Sequence, residues 1–300
     1  MPTLTQFRQA AAREFGAFTS GTATSGNSNL VLTDATWPMM STLAQDDLYV
    51  DYFVYRPNAT VATDKVRTVK TYNPSQGQLT ADAFWSYNWT PGEAYELHGM
   101  FDPNTLLQLM NDALKRCFIT VEFTVPPVAD GTRENITALQ PWLTNKRWIR
   151  WVGYLNNSES REKVDPYWRK IRGETFLDGG NVYIWHPTIR LDPNSTTMYV
   201  FAIKPAYYHV NSGAQSGLSL ESDTAEPLVD RVAAGTLVEA WRRYGHLIEP
   251  IANQRLIRDR TEAEQWFSQL NARDFELPSL EFRPITTFGP RQQSWGPFIQ

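Results

Sequence analysis

The chain holds a single cysteine in 300 residues. Cys117 has no partner for an intramolecular disulfide, and a thiolate metal cage, which needs several sulfurs, is excluded. Long apolar runs are also missing: no stretch approaches the ~20 apolar residues of a membrane helix. Met1 to Gly16 mixes polar and charged groups where a secretory signal carries an apolar core. The expectation is synthesis in the cytoplasm, with neither export nor membrane insertion. An excess of one charge is absent too, since 28 Lys and Arg stand against 32 Asp and Glu, a net charge of -4. No global basic field exists to hold nucleic acid by counterion release, which leaves only a local patch.

The usual marks of catalysis are lacking as well. There is no GxSxG, no Walker A sequence, no GxGxxG after a strand, no HExxH and no CxxC. His98, His186, His209 and His246 are too far apart in sequence for any two to form a local metal pair. No metal and no cofactor is expected. What the chain does have is 42 % hydrophobic and 13 % aromatic residues, which excludes a disordered or coiled-coil chain. A chain of this length buries about three quarters of its unfolded surface without staples.

Periodicity divides the chain. Leu4, Phe7, Ala11, Phe15 and Phe18 recur at helical spacing, which predicts an amphipathic helix over 3–18, loosely tethered by the Gly, Ser and Thr-rich stretch that follows. DDLYVDYFVYRP alternates with period two and reads as a strand, with KVRTVKTYN, QLTADAFW and EAYELHG as further strands between turn-rich segments. Asp102-Pro103 is a cap followed by a first-turn proline, and Leu106, Met110, Ala113 and Leu114 form the stripe of a helix over 103–116. CFITVEFTV alternates with Cys117, Ile119, Val121, Phe123 and Val125 inward, so Cys117 reads as a core residue. Beyond Pro126-Pro127 come NKRWIRWVGYL, a hairpin of RGETFL and NVYIWH around Asp178-Gly179-Gly180, and TMYVFAIKPAYYHV. Residues 211–222 read as a soft linker. Helices follow over 226–247 and 252–271, broken at Glu249-Pro250, and the proline-spaced tail beyond is extended.

The fold expected is mainly β with helices: β-sandwich or jelly-roll sheets, an N-terminal helix, a C-terminal helical hairpin and an extended tail. The corresponding segments are 1–29 (helix and linker), 30–125 (a first β-rich domain with one helix), 126–222 (a second, sandwich-like domain), 223–274 (helical) and 275–300 (arm).

Several clusters invite a chemical reading. Asp46, Asp47 and Asp51 resemble a carboxylate group, yet strand alternation splits them between faces, and solvated charges account for them better. Trp142, Trp148, Trp151, Trp168 and Trp185 are of the type that stacks on sugar rings, although Trp148 and Trp151 fall on opposite faces of one strand and core packing is the simpler role. Asn58, Asn88, Asn135, Asn156 and Asn194 begin five Asn-x-Ser/Thr sequons, read as turn residues. Arg242, Arg243, Arg255, Arg258 and Arg260 suit a nucleic-acid path, but Glu239, Glu249, Asp259, Glu262 and Glu264 interleave with them as on a solvated helix face. In the tail, Phe275, Leu277, Leu280, Phe282, Phe288, Trp295 and Phe298 fit neither helical nor strand spacing and call for another surface's groove.

The order LTQFRQAAAREFGAFTSGTATSG, LTDA, DDLYVDYFVYRP, KVRTVKTYN, GQLTADAFW, AYELHGMFDPNTLLQLMNDALKR and VDRVAAGTLVEAWRRY resembles structural proteins of the neck, connector and tail region of tailed bacteriophages. The resemblance is strongest over about the first 120 residues and rests on pattern and order. It implies a non-enzymatic virion protein, made in the host cytoplasm, that forms a homo-oligomeric ring beside portal, adaptor and tail proteins. DNA would pass without sequence-specific binding, and no catalytic residue carries over. Leu4, Phe7, Phe15 and Phe18 of the N-terminal helix, with the seven apolar tail residues above, are then the expected subunit contacts. The rival readings are a carbohydrate-binding or receptor-binding appendage with an exposed Trp or Tyr platform, and a polysaccharide hydrolase with two facing carboxylates.

Overall fold

A computed structural model of the chain describes residues 1–25, 28–37, 48–125, 133–156, 169–170, 174–185, 196–208, 210–211, 217–219, 221–225 and 227–274. The architecture is mainly β with helices. Among the described residues two compact units form, one within Met1–Ile119 and Pro205–Asn271, the other within Thr120–Lys204 and residues 272–274. The N-terminal helix, residues 30–119 of the first β-rich segment and the C-terminal helical segment as far as Asn271, expected as separate segments, thus share one unit.

In the first unit, α1 (Leu4–Glu14) starts at a capping box in which Thr3 Oγ1 accepts from Gln6 N while the Gln6 side chain accepts from Thr3 N. Gly16 ends it, with φ at +66° and a backbone so close to Arg255 that an added Cβ would lie 2.2 Å from that carbonyl oxygen. The helix is therefore shorter than expected. Phe18 belongs to β1 (Phe18–Thr22), so the first residues of the expected linker, 19–22, are strand, paired with β6 (Ala94–His98). Backbone pairing needs no apolar composition, which is why the Gly, Ser and Thr content misled.

β2 (Val31–Thr33), β3 (Phe53–Tyr55), β4 (Val66–Asn73) and β5 (Gln78–Ala81) complete an antiparallel sheet in the order β1-β6-β3-β4-β5-β2. The chain just past β1 reaches β2 at the other edge: Ser25 bridges Thr33, and Thr24 N donates to Thr33 O at 2.8 Å. Leu32, Val54, Leu79 and Leu97 pack inside with an aromatic set of Trp37, Tyr49, Tyr72, Trp85, Trp89 and Tyr95. Among the described residues of DDLYVDYFVYRP, 48–57, only Phe53–Tyr55 is strand; residues 48–51 turn, and Asp51 sits at φ +67°. One left-handed residue ends the alternation that pattern alone would continue.

α2 (Pro103–Arg116) matches its expected bounds, capped by the Asp102 side chain. α4 (Val229–Arg255), the helix against which α1 and α2 pack, is buried continuously from Arg231 to Ala240. Small residues make this possible: a Cβ on Gly235 would come within 2.8 Å of Phe267 and 2.9 Å of Ala113. The expected break at Glu249-Pro250 is absent. The helix carries Pro250 in its interior and departs from helical dihedrals at Tyr244 instead, ending at Leu256. α5 (Arg260–Asp274) follows. At the end of the expected linker, Leu218 and the adjoining Asp223 are buried, and Asp223 O accepts from Leu4 N.

The second unit holds β7 (Phe118–Val125) from Thr120 onward, β8 (Arg133–Asn135), α3 (Ile136–Leu139), β9 (Ile149–Asn156), β10 (Arg169–Lys170), β11 (Glu174–Asp178), β12 (Asn181–Trp185) and β13 (Thr196–Pro205) to Lys204. They form sheets ordered β10-β9-β13-β7 and β11-β12-β8 over a core of Val125, Ile136, Leu143, Val152, Val182, Ile184, Val200 and Ala202. The β11-β12 hairpin turns at Gly179 and Gly180, both with positive φ, as Asp-Gly-Gly predicts. β14 (Val210–Asn211) and β15 (Thr224–Ala225), in the first unit, pair as a short ribbon.

Candidate functional site

The densest chemistry lies beneath α1. Arg8 falls on the apolar stripe of that helix, one turn from Leu4 and Ala11, so its guanidinium is carried inward and is only 2 % exposed. It meets Glu96 of β6 in a two-pronged pair, Nε to Oε2 at 2.7 Å and the second terminal nitrogen to Oε1 at 3.0 Å. Its remaining terminal nitrogen donates to Glu221 Oε1 at 2.7 Å. Thr5 Oγ1 and the Tyr55 hydroxyl donate to Glu221 as well, and Gln9 Nε2 donates to Glu96. The Arg8 guanidinium also lies 4.3 Å from the centre of the Tyr55 ring.

Electrostatics follow from the packing. Burial by itself pushes the Glu96 carboxyl up, but hydrogen bonds from His98 and Arg8 and the charge of Arg8 win and hold it at about 2. Glu221 is lowered in the same sense against its own burial, by Arg8 and then by Tyr55 and Thr5. Burial raises Tyr55 against the pull of Arg8, and Glu221 adds to the rise. His98 Nε2 lies 3.0 Å from Glu96 Oε2, while its buried Nδ1 has no hydrogen-bond partner among the described residues. Phe15, Phe101 and His98 border a void of about 10 Å³ there, the space of one water. Strong ionisable groups usually work at an open cleft. Here Arg8, Glu96 and His98 are each 2 % exposed, and the arrangement joins α1, β3, β6 and the segment before β15 into one lock. What it does chemically is hold remote stretches of chain in register.

Sequence reading missed this cluster. The available signal was a charged residue on the buried stripe of α1 and a glutamate inside AYELH, where both strand faces are covered. The expected subunit contacts at Leu4, Phe7 and Phe15 need correction, because these side chains are 3 %, 0 % and 2 % exposed within their own unit. Phe18 packs edge-on against His98. These three side chains are taken up by the core of their own unit. The arm residues Phe275, Leu277, Leu280, Phe282, Phe288, Trp295 and Phe298 lie outside the described residues.

Of the acidic trio, Asp46 and Asp47 lie outside the described residues, and Asp51 is exposed at its turn. No group of three or more His, Cys, Asp and Glu that could hold a metal occurs among the described residues. His186 and His209 lie outside them, and His246 is exposed on α4. Cys117 is fully buried. Asn58 occupies a turn, Asn135 caps α3 by accepting from Ala138 N at 3.0 Å, and Asn194 lies outside the described residues.

Trp148 ends a short 3-10 turn before β9 begins, so strand alternation does not govern it. It lies nearly parallel to Trp142, ring centres 6.4 Å apart at 21°, both half-buried. Lys204 Nζ stands 5.2 Å from the centre of the Trp142 ring. Trp168 lies outside the described residues, and only the backbone of Trp151 and Trp185 is described. Two of the C-terminal arginines pair with interleaved acids, Arg242 with Glu239 and Arg260 with Glu264, whereas Arg243 pairs with Asp112 of α2, Arg258 with Glu14 of α1, and Arg255 donates to Gly99 O.

No protein-family model, no curated protein and no solved structure matches the chain.

Proposed function

We propose that the chain is a non-enzymatic virion protein that assembles into an oligomeric ring in the head-to-tail connector or tail of a tailed bacteriophage. Portal, adaptor and tail proteins are its neighbours on this reading, and DNA passes without sequence-specific contact. The resemblance in segment order supports it. The structural observation that carries it is the Arg8, Glu96 and Glu221 lock, in which a buried and a partly buried carboxylate are spent on tying chain segments together through one arginine. A subunit that bears load needs such ties. Light scattering and negative-stain microscopy of the full-length protein test the reading, with rings or ring-sized oligomers as the expected result. Deleting 275–300 should leave a folded protein with weakened assembly. A strictly monomeric protein at high concentration, or a truncation that assembles normally, overturns the ring or the arm respectively.

The parallel Trp142 and Trp148 rings favour one second reading, a carbohydrate-binding appendage. Glycan-array binding lost on Trp142→Ala would select it over the ring.

A further inference from the structure

A cleft of about 500 Å³ opens between α5, the last turn of α2 and the middle of α4. Arg116, Arg242 and Arg260 wall it, over a floor that includes Val238 and Phe267. All of these belong to the first unit. The arginines come from three helices, so no sequence window shows them together.

Two of the three are tied by one carboxylate. Glu239 is 8 % exposed, and its Oε1 accepts from Arg116 at 2.6 Å and from Arg242 at 3.2 Å. Two like charges sharing one oxygen are held side by side, the positioning an anion would otherwise have to impose at its own cost. Arg260 pairs with Glu264 at 3.2 Å through Nε alone, which leaves the terminal nitrogens of its fork unused by that contact. Asn271 also lines the cleft, its Oδ1 turned to Arg231 Nε at 2.6 Å and its Nδ2 group a donor that a ligand can use. Three guanidiniums against Glu239 and Glu264 leave the walls with one excess positive charge. The lining is rich in donors and poor in acceptors.

We propose that this cleft binds a phosphate group. A phosphate presents several equivalent oxygens and up to two charges, which suits guanidinium forks arriving from different helices. A single carboxylate matches one fork, and Glu239 already plays that part for two. Phe267 is buried beneath the cleft with the Arg116 guanidinium 5.4 Å from its ring centre, a contact that helps hold that side chain over the opening. The inference stands apart from the ring reading, since it rests on the cleft alone.

The test titrates the full-length protein at low salt with inorganic phosphate, with a nucleoside triphosphate, with a short single-stranded oligonucleotide and with oligoglutamate, read by calorimetry. Saturable binding of at least one phosphate probe is expected, weakened about tenfold or more by Arg242→Gln with Arg260→Gln. Both residues are more than half exposed, so the fold should survive, and circular dichroism checks that. Glu239→Gln should weaken phosphate binding also, by releasing the arginine pair, whereas a merely repulsive carboxylate would strengthen binding when neutralised. Binding of the small probes points to a free or nucleotide phosphate, and binding of the oligonucleotide alone points to a backbone phosphate. No saturable binding of any phosphate probe, equal binding of oligoglutamate, or indifference to the double substitution overturns the proposal.

Discussion

Arg8 and Glu96 stand 88 positions apart and meet in a two-pronged ion pair, at 2.7 and 3.0 Å, with both side chains 2 % exposed. Such a pair is held by geometry, because each partner gives up water that only the other, with its further hydrogen bonds, replaces. Glu221 and Tyr55 close the remaining sides.

Removing one partner should therefore be costly. Arg8→Met leaves the buried Glu96 and the partly buried Glu221 without their cation, and we expect a loss of about 3–5 kcal/mol in urea denaturation. The double variant Arg8→Met with Glu96→Gln should lose less than the sum of the single variants. Additive losses would mean that the two side chains do not cooperate.

The same pair sets an acid limit. Glu96 is held at about 2 in the folded protein, below the value of 4.5 for a free side chain, so on acidification the unfolded chain takes up its proton first. A depressed carboxyl contributes stability above its unfolded value and loses it as pH falls through the folded one. Stability should drop between about pH 4.5 and 2, with Glu221 acting in the same direction. Urea midpoints across that window should fall less steeply in Glu96→Gln than in the parent.

Leu256 caps α4 at φ +55° and is 90 % exposed. A left-handed residue with a Cβ costs roughly 1–2 kcal/mol, and burial here returns almost nothing. Leu256→Gly should raise the melting temperature, by an amount equivalent to about 1 kcal/mol once the added freedom of the unfolded chain is counted. A lower melting temperature would show that the side chain is in use.

Cys117 lies at the end of α2 with no exposed surface. Cys117→Ser places a hydroxyl in that core and should cost about 1–3 kcal/mol, while leaving the oligomeric state unchanged at temperatures where the protein is folded. Calorimetric melting beside light scattering separates the two effects.

What the sequence by itself determined is local. Asp102-Pro103 with the stripe from Leu106 to Leu114 marked α2 to its ends, since cap, proline and apolar period agree. Asp178-Gly179-Gly180 marked the β11-β12 turn, because two positive φ angles require glycine there. Alternation placed Cys117, Ile119 and Val125 in the core. Elements held by backbone pairing alone left no such mark: β1 is made of Phe, Thr, Ser and Gly, and only the facing strand β6 makes it a strand. Pro250 is a breaker by local rule, yet α4 runs through it because neighbouring helices pack around its buried first half. The Arg8 lock and the arginine cleft are wholly tertiary. Arg8, Glu96 and Glu221 come from three segments, as do Arg116, Arg242 and Arg260, and charge meets charge only after the apolar stripes have chosen which helices and strands lie together.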